Sequence, residues 1–445
     1  MTGTLPNARA LPLPESTRKL HQLNQQYSVG GINSVAVYFA SGKGATLIDS
    51  EGRELLDFVN GFSSTNLGQC HPRIVAAQVN TANKITLANI GGMSQEWPVL
   101  AEKLCRKFGY DKVAAAVTGS EAADTACKLA RGWGINVKKI DPQDVLVLGT
   151  SENYHGTITG VWPLMEPGAG QEVYGTFSKN LTNINPKTGK VLRYLHAEDY
   201  AEIFEQMGER IAAVIMEPLH GLAKSKDDEV NFCIKVRQLC KKHNILYIAD
   251  EIRMGSCKTG KFLSSDWLGP ENKPDMVTIG KSISGGAYPA SFILGPDEVM
   301  GQMKPYHGIH TFAMTSMACA TVLAALEVYE EEKLHERALA IQEKWVKETS
   351  TWDFPYLKYC PSYGADFSLV LDLAHEGITS RRFCLLSASK GLLSATGPNG
   401  RVRLGASLII NDEDLLRGFQ IIKETLADLP NYGQIEGSEV PLGAF

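Results

Sequence analysis

Between residues 113 and 296 one pattern recurs: a short apolar run, a polar full stop, then a stretch of helical period. The runs are VAAAVTG (113–119), DVLVLGT (144–150), AAVIMEP (212–218), ILYIADE (245–251), DMVTIGK (275–281) and SFILGP (291–296). Most are separated by amphipathic patterns such as EAADTACKLARGWG and VNFCIKVRQLCKKHN. Strands that are apolar throughout must be buried on both faces, and parallel neighbours need a crossover, usually a helix. The pattern therefore predicts an α/β fold with a mostly parallel sheet covered by helices on both faces.

At 445 residues the chain has room for more than one structural domain. Ahead of the repeating region, VAVYFASGKGATLIDSEGRELLDFV reads as a small sheet, broken at Gly42–Gly44 and at the Ser50–Gly52 turn. Residues 1–30 read as a polar, proline-containing lead-in, and NYGQIEGSEVPLGAF as a loose tail. The segment SMACATVLAALEVYEEEKLHERALAIQEKWVKETSTW reads as one long helical stretch leading into a C-terminal domain. That domain is expected to hold strands at DFSLVLDL and RVRLGASLII and a final helix at EDLLRGFQIIKETLADL.

Charge and cysteine usage exclude several classes. Both signs are spread along the chain and the formal net charge is −5. That leaves no basic footprint for nucleic acid and no polybasic membrane patch. No apolar run reaches membrane-spanning length. The N-terminus lacks a secretory apolar core, and its three Leu-Pro pairs disfavour a helical transit presequence despite Arg9, Arg18 and Lys19. The nine cysteines are scattered without zinc spacing. Reduced thiols, a cytoplasmic protein and no metal are the expectation.

Ligands of open α/β sheets gather at the carboxyl ends of the strands. The polar residues closing the apolar runs are Gly119-Ser120, Glu217, Asp250-Glu251 and Lys281. Lys281 ends a buried strand, where desolvation lowers a lysine's pKa and makes it a nucleophile. Alone, it reads as a lysine snorkelling to solvent. Asp250 must meet a cation or hydrogen-bond donors, because a carboxylate buried alone is costly. A protonated pyridine nitrogen would serve, and so would a structural cap. Pyridoxal phosphate needs both a lysine for its aldehyde and an acid for its ring nitrogen. TGSEAADTACKLAR starts a helix at Gly119 and Ser120, where backbone N–H groups hold a phosphate well, although a plain Ser cap explains the same residues. In NYHGTITG, Tyr154 is placed either to stack on a planar ring or to pack over a loop.

Taken in order, TGSEAADTACKLAR, NYHG, MEPLHG, IADEIRMGSCKTGK, PDMVTIGKSISGGAYP and ALEVYEEE resemble the class-III aminotransferases, pyridoxal-phosphate enzymes of fold type I. Within that family the chain is most similar to the ornithine δ-aminotransferases, from about Val35 to about Leu429. The resemblance implies three ranges: an N-terminal segment at 1–75, a large cofactor-binding domain at 76–335 and a C-terminal small domain at 336–445. The N- and C-terminal ranges together would form the smaller α+β domain. It implies Lys281 as the Schiff-base lysine, Asp250 as the partner of the pyridine nitrogen and Tyr154 as the ring-stacking aromatic. Gly119 and Ser120 match the phosphate turn. Thr311 matches a threonine that reaches the cofactor phosphate of a neighbouring subunit, so a homodimer with shared active sites is implied. Arg403, Phe62 and Glu217 fall on the substrate side, with amino acids and keto acids as substrates.

The cofactor positions match the family's pattern, whereas several substrate positions depart from it. Ile32, Thr157, Leu222 and Arg253 stand where the ornithine branch has tyrosine, arginine, glutamate and glutamine. The segment IHTFAMT carries a one-residue insertion. Leu222 replaces the acid that masks the carboxylate-binding arginine, which leaves Arg403 unmasked. Two readings stand for Arg253: a cation set beside the cofactor's phenolic oxygen, or a side chain turned away to pair with Glu251 or another acid. The expected activity is an aminotransferase with an altered substrate pocket. A decarboxylase, racemase or carbon–carbon bond-forming enzyme on the same frame is the alternative, and a non-catalytic paralogue ranks last.

Overall fold

The computed structural model describes residues 15–29, 37–88, 92–165, 174–175, 178–432 and 435. Part of the expected lead-in is helical: α1 spans Glu15–Tyr27. Three strands follow, β1 (Phe39–Lys43), β2 (Thr46–Asp49) and β3 (Glu54–Asp57), paired antiparallel in order. The tight turns fall on Gly44 and Gly52, both at positive φ. After β3 comes a single turn, α2 (Asn60–Ser63), in which all four residues, Phe62 among them, have φ between 50° and 68°.

The chain divides into two compact units, with the breaks at His71–Pro72 and His335–Glu336. The first break precedes the expected boundary at 75 because α3 (Pro72–Ala82) already starts at Pro72, a residue suited to the first helical position. In the unit from Pro72 to His335, α4 (Glu96–Phe108) leads into β4 (Lys112–Ala116), α5 (Gly119–Asn136), β5 (Leu146–Leu148) and β6 (Leu181–Thr182). Then come α6 (Ala197–Met207), β7 (Ile211–Met216), α7 (Lys226–Lys242), β8 (Leu246–Asp250), β9 (Met276–Ile279) and β10 (Ser291–Gly295). Two helices close the unit, α8 (Asp297–Met300) and α9 (Ser316–Glu331).

Its seven strands run in the order β4-β10-β9-β8-β7-β5-β6. Only β10 is antiparallel to its neighbours. Successive side chains of a strand alternate between the faces, and both faces are packed. Ala213, Ile215, Ile248 and Ile293 meet Ala122, Ala126, Ala130 and Trp133 of α5. Val214, Met216, Tyr247, Ala249, Phe292 and Leu294 meet α4, α6, α7 and α9 on the other face. Small residues let α5 lie close: a Cβ on Gly134 would sit 2.7 Å from that of Ala212. Every strand predicted in this region is present. The two-residue edge strand β6 carries too little pattern to be read from sequence.

The expected single long helix is two. After α9, the chain breaks at Glu332–Lys333, where Lys333 has φ +49°, and resumes as α10 (Leu334–Thr349). The remaining elements are β11 (Leu357–Tyr359), β12 (Ser362–Tyr363), β13 (Asp366–Leu371), α11 (Ser380–Ser389), β14 (Leu392–Leu393), β15 (Ala395–Thr396), β16 (Arg401–Gly405) and α12 (Asp412–Asp428). β14 adds parallel to β3, so one sheet is made from both ends of the chain. An antiparallel sheet runs β11-β13-β16-β15. Phe58, Trp345, Phe367 and Phe419 interlock at the centre of this unit, with Trp345 stacked on Phe367 at 4.3 Å. Most of the tail expected to be loose lies outside the described residues. Tyr432 is tied by its carbonyl to Arg382 (2.7 Å), and Ile435 is buried.

Candidate active site

The parallel strands of the large sheet end on one edge, and the antiparallel β10 starts there at Ser291, opposite Ala116 of β4. Asp250 closes β8 at that edge and is 2 % exposed. Three neighbours hold its carboxylate. Oδ2 lies 2.7 Å from His155 Nδ1, and Oδ1 accepts from Thr278 Oγ1 (3.0 Å) and from the Ile252 amide (3.1 Å). The other imidazole nitrogen, Nε2, is buried with no hydrogen-bond partner among the described residues. An acid is thus fixed in place by three hydrogen-bonding neighbours.

Lys281 stands at the end of the next strand, β9, with φ +48°. A lysine gains nothing intrinsic from the left-handed region, and such outliers cluster at functional sites. Space is tight beneath it. A Cβ on Gly280 would lie 2.6 Å from Ser291 Oγ, and one on Gly119 would lie 2.9 Å from Ile252 Cγ2. The glycines let the backbones of β4, β8 and β9 converge at their ends.

Gly119 and Ser120 open the 18-residue α5. Thr118 Oγ1 accepts from the Glu121 amide (3.2 Å), and Glu121 Oε2 in turn accepts from the Thr118 amide (2.9 Å), a full capping box. Gly156 lies against this turn: with φ +114°, any Cβ there would overlap Ser120 Oγ. The loop carrying Tyr154 and the start of α5 therefore share one cradle. Tyr154 is half-exposed. Burial raises its phenol, and a hydrogen bond to Thr157 opposes that shift.

Glu217 follows β7 at the same edge, and its carboxylate is committed to protein partners. Oε1 accepts from the Tyr154 amide (2.8 Å) and meets His220 Nδ1 (2.8 Å), while the Glu217 amide donates to Asn153 Oδ1 (2.7 Å). Burial pushes this carboxyl up, but the charge and hydrogen bond of His220, with Arg253 and His155, outweigh it and hold it at about 2. Arg253 neither stands alone nor joins Glu251. Its Nη1 donates to the His220 carbonyl (3.2 Å) and contacts Met254 Sδ (2.9 Å). Glu251 is taken by Ser264 N (2.7 Å), Ser264 Oγ (2.8 Å) and Ser265 N (2.6 Å), and burial lifts it to about 7 against those bonds.

The Glu217 shift carries a pH prediction. The carboxyl titrates near 4.5 in the unfolded chain and near 2 in the folded one. Its contribution, of order 3 kcal/mol, is fully present above pH 4.5 and is lost as the pH falls towards 2. Melting curves from pH 7 to 3 should therefore fall less steeply for Glu217→Gln than for the wild type. Parallel curves would mean that Glu217 is not held ionised.

Thr311 lies in a loop that runs along α5, where Lys128 Nζ donates to the His307 carbonyl (2.6 Å) and His310 Nδ1 is 3.5 Å from Glu121. Arg403 and Phe62 belong to the other unit. Arg403 sits on β16 opposite Ser368, and its side chain packs over Gly397. Asn60, in the turn that carries Phe62, donates to the carbonyl of Gly405 at the end of that strand (2.7 Å). Ile32 lies outside the described residues. Sequence reasoning passed over His155 and His220. Both were visible inside the quoted NYHG and MEPLHG, yet their carboxylate partners are identified only by the fold.

Comparison with known proteins gives a consistent result. The family described as aminotransferase class-III matches residues 27–426. An ornithine aminotransferase of Schizosaccharomyces pombe is 34% identical over 96% of this chain and 97% of its own length. The mitochondrial ornithine aminotransferase of Arabidopsis thaliana is 31% identical over 99% of this chain and 92% of its own. Among solved structures, the ornithine aminotransferase of Toxoplasma gondii, described with partial occupancy of pyridoxal phosphate at its active site, superposes with a TM-score of 0.82. It is 27% identical, covering 93% of this chain and 95% of that one.

Proposed function

This chain belongs to the class-III aminotransferases, and we propose that it takes an amino group from a carboxylate-bearing ω-amino or diamino acid and passes it to a keto acid. The chain is a pyridoxal-phosphate-dependent aminotransferase. Decarboxylase, racemase and carbon–carbon bond-forming readings are set aside, because the family match and relatives spanning nearly the whole chain are aminotransferases. The observation that carries the residue assignment is Asp250: a buried acid, already fixed by His155 and Thr278, at the strand end beside that of Lys281.

The residues fit the cofactor. The acid at the sheet edge suits a ring nitrogen, and Gly119 and Ser120 open the 18-residue α5, where backbone N–H groups suit a phosphate. When bound, pyridoxal phosphate supplies a ring that withdraws electrons from the substrate's amino-bearing carbon. In this reading Lys281 attaches the cofactor and then moves the proton as base and acid. Asp250 keeps the ring nitrogen protonated, and His155 holds Asp250. The amides of Gly119 and Ser120 take the phosphate, and Tyr154 covers the ring. Arg403 and Phe62 serve the donor, and Glu217 orders the loop beside it.

The homodimer is supported by the Thr311 loop, in which Tyr306, Ile309 and Phe312 are exposed; large apolar side chains on one loop suit a partner surface. A cytoplasmic location is supported by nine free cysteines, which suit a reducing compartment. No helix among the described residues is long and apolar enough to cross a membrane.

Mixing the purified protein with L-ornithine in the absence of any keto acid should bleach the cofactor's visible band within one turnover, and 2-oxoglutarate should restore it. Bleaching by L-glutamate and other α-amino acids but by no diamino acid would refute the donor class. Arg253 supplies a second test. A cation beside the phenolic oxygen stabilises its anion, so Arg253→Gln should raise the midpoint of the cofactor's visible pH titration by about one unit. An unchanged midpoint would restrict Arg253 to holding the His220 carbonyl.

A further inference from the structure

Glu229, on α7, is 0 % exposed. Its carboxylate accepts from four consecutive backbone amides: Oε2 from His220 (2.6 Å) and Gly221 (3.1 Å), Oε1 from Leu222 (2.7 Å) and Ala223 (2.9 Å). The Tyr194 hydroxyl, which also lies 3.3 Å from the Glu217 carbonyl and 3.4 Å from that of Pro218, is 3.3 Å from Oε2. Gly221, with φ +80°, bends the chain so that successive amides converge on one point. Such a nest of amides binds an anion, and here the anion is built in.

The nest is connected to the proposed chemistry. His220, whose amide it holds, places its ring on Glu217 and its carbonyl on Arg253. Glu217 holds the Tyr154 amide, and the next residue, His155, holds Asp250. The chain of hydrogen bonds therefore runs from α7 to the end of β8 through the segment after β7. We propose that Glu229 is a positioning residue for donor binding: it fixes the backbone of residues 220–223 and, through His220 and Glu217, the loop that carries Tyr154. Because each carboxylate oxygen takes two amides, glutamine cannot replace it. Its –NH2 group would face two N–H donors and leave them unpaired.

The kinetic arm of the test rests on the proposed donor reading; the exchange arm does not. In Glu229→Gln, amide hydrogen exchange should quicken at residues 220–223 and also at Tyr154, which lies outside the loop. The donor's KM should rise roughly ten-fold with kcat within about three-fold, the pattern of lost ground-state binding. Unchanged exchange at 220–223, or faster exchange confined to that loop with an unchanged KM, would overturn the proposal. Should Glu229→Gln fail to fold, Tyr194→Phe removes a single hydroxyl from the Oε2 side. It should quicken exchange at His220 and Gly221 more than at Leu222 and Ala223, and equal or absent changes would overturn the proposal. A wild type that no donor bleaches would refute the donor reading, while the exchange data would still decide the role of Glu229.

Discussion

Lys281→Ala is expected to abolish turnover, lowering kcat by roughly 10⁴-fold or more, because one side chain is asked both to attach the cofactor and to carry the proton. The visible band of lysine-bound cofactor should vanish with it. Stability of the cofactor-free protein should change little, since alanine keeps the Cβ and so sits at φ +48° under the same strain as the lysine it replaces. Kinetic assay and absorbance on the same sample check both parts. A variant that keeps the band and turns over at a tenth of the wild-type rate would remove Lys281 from its role.

Asp250→Asn should be the next most damaging change. Asparagine preserves the shape and the bond from Thr278 but no longer holds a proton on the ring nitrogen. Loss of that charge should lower kcat/KM by about 10³-fold, about 4 kcal/mol of transition-state stabilisation. The cofactor itself should still attach through Lys281, so the band persists while turnover falls. The change also disturbs the buried contact between residue 250 and His155 Nδ1, and leaving a buried hydrogen-bonding group poorly satisfied costs about 1–3 kcal/mol. A lowered melting temperature in the cofactor-free protein should accompany the kinetic loss. Near-normal kcat/KM in Asp250→Asn would show that the ring nitrogen is served elsewhere.

Legibility from sequence followed locality. Six of the seven strands of the large sheet were readable because each is a continuous apolar run, and burial on both faces demands such runs; the two-residue β6 was not. Lys281 and Asp250 were readable because they close such runs. His155 was not: its partner lies 95 residues away, and a histidine beside a stacking tyrosine gives no local sign of an acid across the sheet. Glu229 was equally silent, since an acid in the first turn of a helix is ordinary. Only the fold brings four amides onto it. The small unit was the least legible. The two residues of β14 join the parallel edge of β3, at the other end of the chain, and so short a strand carries no periodicity. The break at Lys333 lies inside uninterrupted helix-forming sequence, with no glycine or proline to mark it.

On the proposed reading Lys281, at the end of β9, holds the cofactor beside Asp250. Borohydride reduction of the yellow protein, followed by peptide mass mapping, is the decisive experiment, because reduction makes the cofactor's attachment permanent. A pyridoxyl-phosphate label is expected on the peptide containing Lys281 and on no other. A label on a different lysine, the buried Lys258 for example, or no label on a protein that remains yellow, would contradict it.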